Sequence, residues 1–204
     1  MNTKLKNPAQ AIVDFWFGHQ PDDRRVADEQ AALWWQKNER TDRAIEHQFG
    51  AWLEQAGRGE LDHWLSQPDK ALALILLTDQ FTRTIYRDTP NAFALDKQAR
   101  RYCRHMLANE QDRVLRPIQR VFVYLPLEHS ENLDDQNRCV ELMRKLAESV
   151  PEHQRKTFDD YVDFAERHQH IIQRFGRFPH RNAILGRVST AEEVEFLKQP
   201  GSSF

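Results

Sequence analysis

The chain has 204 residues, of which 40% are apolar and 29% are charged, and its formal net charge is −2 at neutral pH. This apolar content excludes a disordered chain, and the near-balanced charge predicts no general attraction to nucleic acid. The longest apolar run is shorter than a membrane span, and the first residues, MNTKLKNPAQ, lack the apolar core of a signal peptide. With the isolated cysteines Cys103 and Cys139, these features predict one cytoplasmic domain over residues 1–204 that has no membrane partner.

Apolar residues recur at helical spacing in the first third of the chain. The predicted helices there are Ala9–Phe17, Ala27–Lys37, Thr41–Ala56 and Glu60–Ser66. Asn7 and Pro8 form a start signal for the first helix, and Gly18 ends it. Trp34 and Trp35 are adjacent on the second helix and face different neighbours, so at least one of them is expected to pack between helices.

The stretch Asp69–Arg87 is the most apolar of the chain and is predicted as one central helix. Its first part, Ala71–Leu77, is apolar on every side of a helix, which is typical of a buried element. Asp79 and Arg83 continue this buried face, and a charge inside a protein needs a partner. The two side chains either pair with each other and tie this helix to its neighbours, or they line a pocket at its end.

Helical patterns also fill the remainder of the chain. The predictions are Asn91–Asn109, a helix from Pro117 that ends or kinks at Pro126, Asp134–Ser149, Glu152–Phe175, and a last helix to Lys198 that Ser189 and Glu192 cap. The basic outer face of Asn91–Asn109 is interpreted as solvated, and nucleic acid binding is the weaker alternative because interleaved aromatic residues are lacking. About ten helices and no strand predict an all-α domain of antiparallel helix pairs.

Polar residues gather in three segments, residues 79–83, 124–131 and 174–187. The third, which we call the strap, combines four arginines and one histidine with apolar residues and contains no acid. One interpretation is a structural clasp, in which strap arginines pair with the acids Glu128, Glu131, Asp134 and Asp135. The other is a cleft in which strap cations bind a carboxylate or phosphate and Glu128 or His129 transfers protons. The candidate ligand-binding residues are Asp79, Gln80, Arg83, Glu128, His129, Arg177, His180, Arg181 and Asn182.

Signatures of metal or cofactor binding are weak. The chain has no P-loop, no G-x-G-x-x-G and no G-x-S-x-G, so no cofactor is predicted. Glu166 and His170 have a spacing that could hold a metal on one helix face, but such pairs are common by chance. His168 lies on the apolar stripe of its helix and is predicted as a hydrogen-bonded core histidine. No metal site is therefore predicted.

The segments ALALILLTDQFTRTIYR, YLPLEHSE and RFGRFPHRNAILGR, with the early IVDFWFG, resemble a bacterial family described only as a domain of unknown function. The resemblance covers about residues 11–197. That family is similar to the tetratricopeptide-like (TPR-like) all-helical superfamily, so the resemblance implies a right-handed stack of helix pairs. Thr82 and Thr84 depart from the proline and asparagine that the family pattern leads us to expect.

The resemblance implies no activity, so two functions stay open. The first is a binding site for a small anionic ligand, with a possible enzymatic role. The second is a helical adaptor for a protein or peptide partner, in which the polar segments are purely structural; this alternative rests on fold-level analogy.

Overall fold

The apolar stretch at the centre of the chain forms a buried rod in the computed structural model, which describes residues 7–203. The rod consists of α4 (Pro68–Ile75), a π-helical segment (Leu76–Phe81) and α5 (Thr82–Ile85). Every residue from Ala71 to Phe81 is buried, as the all-round apolar pattern predicts.

The other helices surround this rod. They are α1 (Pro8–Phe17), α2 (Asp23–Trp35), α3 (Glu39–Gly57), α6 (Asp96–Ala108), α7 (Pro117–Glu128), α8 (Leu133–Ser149), α9 (Glu152–Phe175) and α10 (Ala191–Phe196). Helix α1 packs on α4, α3 on the π segment, α6 on α4 and α7, and α8 between α7 and α9. Within residues 7–203 there is no strand, which confirms the predicted all-α fold. The right-handed TPR-like stacking remains a prediction.

Short 3-10 turns connect several of these helices. Four of them are Asp62–Ser66, Pro90–Phe93, Gln111–Val114 and Pro179–Arg181. The predicted helix Asn91–Asn109 is therefore divided, since its first turn is the separate turn Pro90–Phe93 and α6 begins only at Asp96. The last of these turns lies inside the strap, which is otherwise irregular as predicted.

Aromatic rings fill the core between α1, α3 and the rod. The ring of Phe81 lies 5.4 Å from that of Trp16, 5.2 Å from that of Phe49 and 6.2 Å from that of Phe15. Trp34 packs between helices as predicted, and its indole nitrogen donates to the Trp16 carbonyl at 2.9 Å. Buried aromatic rings of this kind contribute large apolar area and fix the angle at which helices meet.

The π segment corrects the prediction of a regular central helix. The Thr82 backbone N–H donates to the Leu77 carbonyl, five residues earlier. Threonine hydroxyls supply additional hydrogen bonds to the backbone carbonyls of this wider turn. Thr78 donates to the Leu74 carbonyl at 2.7 Å, and Thr82 donates to the carbonyls of Leu77 and Thr78. A proline at position 82 could make none of the Thr82 bonds, so the threonine found here supports the turn. Single π turns inside α-helices occur frequently at functional sites.

Three differences from the predicted helix ends have a clear physical cause. Pro126 does not end α7, because it lies in the last turn and removes only one backbone donor, while His129 still donates to the Leu125 carbonyl at 2.9 Å. Helix α2 begins four residues earlier than predicted, since the Asp22 carboxylate accepts from the Arg25 N–H. The capping box of α10 uses Thr190 and Glu193 rather than Ser189 and Glu192.

The structure also describes the two cysteines and the apolar character of the helices. Cys103 and Cys139 are buried free thiols. None of the helices within residues 7–203 combines the length and the apolar character that crossing a bilayer requires.

On the basic outer face of α6, Arg101 pairs with Asp62 at 2.8 Å and Arg104 with Asp135 at 2.6 Å, so part of the positive charge of this face is neutralised locally.

Replacing Phe81 by alanine should destabilise the fold, because the ring is fully buried between α1 and α3. We expect the free energy of unfolding to fall by about 3–5 kcal/mol, the usual cost of a large aromatic cavity. Urea denaturation followed by circular dichroism measures it. The control is Val188→Ala, at a side chain that is 88% exposed, where we expect a change within about 0.5 kcal/mol. Equal effects of the two substitutions would contradict the arrangement of the core.

Candidate functional site

The polar end of the central rod carries a carboxylate into the protein interior. Asp79 lies in the π segment and is only 1% exposed. Its carboxylate accepts a hydrogen bond from the Gln80 amide at 2.6 Å and lies 3.4 Å from Nη2 of Arg83. Burial alone would raise the pKa of Asp79, but His129 and Arg83 outweigh it and hold the pKa at about 2. The predicted pair of Asp79 and Arg83 is present, and Asp79 is ionised at neutral pH.

His129 follows the last residue of α7 and connects the second polar segment to the first. Its Nδ1 atom lies 2.8 Å from Asp79 Oδ1 and 3.3 Å from Arg83 Nε. We assign the proton to Nδ1, because the carboxylate is the nearer and the charged acceptor. Burial and the Arg83 charge lower the pKa of His129. The ring is therefore neutral at pH 7, and Nε2 carries its lone pair.

Two guanidinium groups continue this network toward the strap. Nη2 of Arg83 donates to the Asp96 carboxylate at 2.8 Å, and Nη1 of Arg181 lies 3.6 Å from the same carboxylate. Both groups lie over the Phe93 ring, at 5.4 Å for Arg83 and 4.8 Å for Arg181. Asp79, Arg83, Asp96, His129 and Arg181 form what we call the ion network. It joins the rod, α6, the end of α7 and the strap.

A cavity of about 550 Å³ opens beside the ion network. This volume lies within the range of about 300–1,000 Å³ that is usual for small-molecule sites. Its polar and charged lining consists of Gln36, Lys37, Gln80, Arg83, Thr84, Arg87, Asp88, Glu128, His129, His168, His180, Arg181 and Ser203. Its apolar lining includes Trp34, Trp35, Phe93, Leu125, Phe164 and Ile184. All three polar segments of the sequence therefore contribute to one cavity.

Glu128 is a buried carboxyl group on this cavity. Burial, reinforced by the charge of Asp79, raises the pKa of Glu128 to about 8. Its Oε1 lies 3.4 Å from Nδ1 of His168, which donates instead to the Phe164 carbonyl at 2.8 Å. Burial lowers the pKa of His168 to about 3. At neutral pH the contact between Glu128 and His168 is thus one between a carboxylic acid and a neutral imidazole, and the carboxylic acid can donate a proton.

The strap residues divide between the cavity and a structural role. His180 and Arg181 line the cavity, and burial lowers the pKa of His180 to about 4. Arg177 and Asn182 do not line it. Arg177 instead donates to the Glu193 carboxylate of α10 at 2.6 and 2.8 Å, and the Asn182 amide donates to the same carboxylate at 3.2 Å.

The structural clasp is also present, with one of the four predicted acids, Glu131, and with Glu193 of α10, which was not predicted. Arg187 forms a bidentate pair with Glu131, at 2.7 and 3.0 Å. The sequence analysis assigned four acids to strap arginines. Within residues 7–203, only Glu131 of these four forms an ion pair with a strap arginine. Asp135 pairs with arginines of α6, and Glu128 is a buried acid of the cavity. The strap therefore contains a structural clasp and also contributes His180 and Arg181 to the cavity, while ligand binding there remains a prediction.

Sequence reasoning missed several side chains of this site. Asp96, Phe93 and Phe164 are distant in the chain from the three polar segments and gave no signal as site residues. His168 is a buried, hydrogen-bonded histidine as predicted, yet it also lines the cavity. The adjacent pair of Trp34 and Trp35 was the one available signal for the aromatic lining. Within residues 7–203, no group of three or more His, Cys, Asp or Glu side chains is arranged to hold a metal ion.

Comparisons with known proteins give the chain a family context. The family model for the bacterial protein of unknown function DUF924 matches residues 12–201. A solved structure, that of the protein of unknown function ATU0120 from Agrobacterium tumefaciens, is similar with a TM-score of 0.79 at 35% sequence identity. The match covers 93% of this chain and 96% of that one. Curated proteins give no match.

Replacing Glu128 by glutamine should change how stability depends on pH. The unfolded carboxyl group, with its ordinary pKa of 4.5, is ionised above pH 6.5, whereas the folded group stays protonated up to about pH 8. The folded state therefore binds the extra proton, and the free energy of unfolding falls as pH rises to about 8, by up to about 1.4 kcal/mol per pH unit. Glutamine imitates the protonated acid, so Glu128→Gln should lack this loss.

Urea denaturation of both proteins between pH 6.5 and 8 measures the difference. The buried His129, His168 and His180, whose pKa values are lowered, have the opposite effect around their ordinary pKa of 6.5, but this effect is common to both proteins and cancels in their difference. Glu195→Gln, at an exposed acid of α10, is the control and should follow the unmodified protein. Parallel curves for Glu128→Gln and the unmodified protein would contradict a raised pKa at Glu128.

Proposed function

The chain belongs to the bacterial DUF924 family, and since the description of that family states no activity, we propose a function from the cavity of this chain. The cavity binds a small anion, either a carboxylate or a phosphate. The supporting observation is an asymmetry of charge. The cations Lys37, Arg83, Arg87 and Arg181 line the cavity, but the carboxylates of Asp42, Asp79 and Asp96 that pair with the arginines do not.

Of the two acids on the lining, Asp88 offsets only the charge of Lys37, and Glu128 offsets none of the arginine charge. Asp88 pairs with Lys37 at 2.6 Å, and Glu128 is neutral at pH 7 because its pKa is raised to about 8. The histidine pKa values are lowered as well, so His129 and His180 add no charge there. The cavity surface therefore presents arginine groups to a ligand, and arginine is well suited to bind planar carboxylates and phosphates through two hydrogen bonds.

Arg181 is the best-prepared of these cations. It is 6% exposed, and its guanidinium lies over the rings of Phe178 and Phe93 at 4.4 and 4.8 Å. Nη1 donates to the His129 carbonyl at 3.0 Å, whereas the buried Nε has no hydrogen-bond partner in the protein. Burial and the Arg83 charge lower the pKa of Arg181 to about 10. A bound anion would favour the charged form of Arg181, and the fixed ring contacts reduce the entropy lost on binding.

A second candidate function, an enzyme that transfers protons at the same site, is favoured by the geometry of His129. Asp79 holds the Nδ1–H of that ring, which leaves Nε2 as the base, and Glu128 supplies a carboxylic acid on the same cavity. In ester hydrolysis, Nε2 would accept a proton from water while the water oxygen bonds to the carbonyl carbon. The ester C–O bond would break, Glu128 would protonate the leaving oxygen, and the imidazolium would return its proton to Glu128.

Arg181→Gln should weaken anion binding because it removes the buried guanidinium from the lining. We expect the dissociation constant for the best of acetate, succinate and phosphate to rise about 10- to 100-fold, the worth of a charged hydrogen bond. Isothermal titration calorimetry at constant ionic strength measures it. Arg177→Gln is the matched control, since it removes a strap arginine that attaches the strap to α10 but does not line the cavity, and we expect it to lose much less affinity.

Two results would count against this proposal. One is that none of the three anions binds the unmodified protein at millimolar concentration. The other is that Arg177→Gln and Arg181→Gln lose equal affinity while both remain folded by circular dichroism. If Arg181→Gln does not fold, Arg181→Lys keeps the positive charge and replaces it, with a smaller expected loss because lysine lacks the planar fork.

His129→Asn should separate proton transfer from binding. The asparagine amide can still donate to Asp79, but it has no basic nitrogen in place of Nε2. With para-nitrophenyl acetate as the probe, we expect hydrolysis by the variant to be about 10²- to 10⁴-fold slower than by the unmodified protein, while anion affinity is retained. His153→Asn, at an exposed histidine of α9, is the control. No hydrolysis by the unmodified protein, or equal rates for all three proteins, would remove the enzymatic candidate.

A further inference from the structure

Aromatic side chains form a second distinct part of the cavity lining. Among the large apolar side chains that are exposed within residues 7–203, the two aromatic ones are Trp35, at 53%, and Phe164, at 48%. Both line the cavity. Large aromatic rings that stay in contact with water are unfavourable for folding and are enriched where a protein binds another molecule. The exposed aromatic area is therefore concentrated at the same cavity as the arginines.

The Trp35 ring is held in one orientation by the core beneath it. It stacks on Phe122 with a centroid distance of 6.0 Å and an interplanar angle of 12°. Phe122 is fully buried, and its own ring lies 4.7 Å from that of Trp34. A second contact, at 6.4 Å, joins Trp35 to Tyr161 of α9. One face of the indole is thus covered by a rigid support, and about half of the side chain remains accessible as a stacking surface.

Phe164 lies close to the polar part of the same cavity. Its carbonyl accepts the hydrogen bond from His168, one helical turn further along α9. Tyr161, which contacts Trp35, is three residues before Phe164 and therefore one turn away in the other direction. Along α9, Tyr161 beside Trp35 comes first, Phe164 follows one turn later, and His168 comes one turn after that. The cavity lining therefore passes from an aromatic part at Trp35 to a polar part at His168.

We propose that the anion bound in this cavity is an aromatic carboxylate, with its carboxylate at Arg181 and its ring against Trp35 and Phe164. This inference rests on the proposed anion-binding function and specifies its ligand class. An inorganic anion would use the arginines but leave the aromatic surface in water. A cavity of about 550 Å³ has room for the ring as well as the head group.

A matched series of ligands tests the inference by calorimetry on the whole chain. Acetate and phenylacetate share the carboxylate, cyclohexylacetate replaces the flat ring by a puckered one, and phenylacetamide keeps the ring without the charge. We expect phenylacetate to bind at least about tenfold more tightly than acetate, with cyclohexylacetate between them. Trp35→Ala should remove most of this gain and leave acetate affinity unchanged. Leu133→Ala, at an exposed apolar residue that does not line the cavity, should change neither affinity.

The outcomes separate this inference from the function on which it rests. Equal affinity for acetate and phenylacetate, or an unchanged gain in Trp35→Ala, overturns the aromatic ligand class and leaves anion binding standing. Binding of phenylacetamide as tightly as phenylacetate shows that charge is not recognised, and it overturns the anion-binding function together with this inference. Failure of all four compounds to bind overturns this inference, and the anion-binding function is overturned with it when succinate and phosphate also fail to bind. A folded Trp35→Ala is verified by its melting temperature, and Phe164→Ala replaces it if it does not fold.

Discussion

Asp79 is an ionised carboxylate inside the protein, and the energy needed to remove it from water constrains the groups around it. A buried charge without a partner costs several kcal/mol, so the end of the central rod must be surrounded by donors and cations. Gln80 and Arg83 come from the rod itself, and His129 comes from the end of α7. Arg83 then requires a second carboxylate, Asp96, which in turn lies beside Arg181. One buried charge thereby links four separate parts of the chain.

The strap combines two tasks in a short stretch of sequence. Arg177, Asn182 and Arg187 hold it to Glu193 of α10 and to Glu131 after α7. Between these attachments, the turn Pro179–Arg181 carries His180 and Arg181 to the cavity. The attachments explain how an irregular segment can present a buried arginine in a defined orientation. Such support from neighbouring residues is what a precise binding site requires.

The sequence predicted the architecture better than the local geometry. The apolar run from Ala71 to Leu77 and the apolar stripe of α9 were sufficient to predict a buried rod and a long helix, because helical periodicity is a strong local signal. The convergence of the three polar segments followed from the need to pair buried charges. The π segment could not be predicted, since its threonines fit a regular α-helix equally well. Nor could the sequence separate Arg177 and Asn182 from Arg181, because which strap residues meet α10 depends on contacts between distant parts of the chain.

The π segment also has a consequence for changes in chain length. A π turn contains one residue more than an α-helical turn, so it behaves as an insertion that a helix has absorbed. Deleting one residue between positions 76 and 81 would allow regular α-helical bonding throughout the rod. The wide turn would disappear together with its extra residue, so the side chains after the deletion would keep nearly their orientation relative to α4, and Arg83 would still be directed toward Asp96. Homologues that are one residue shorter in this stretch would therefore keep the charge lining of the cavity while lacking the wide turn.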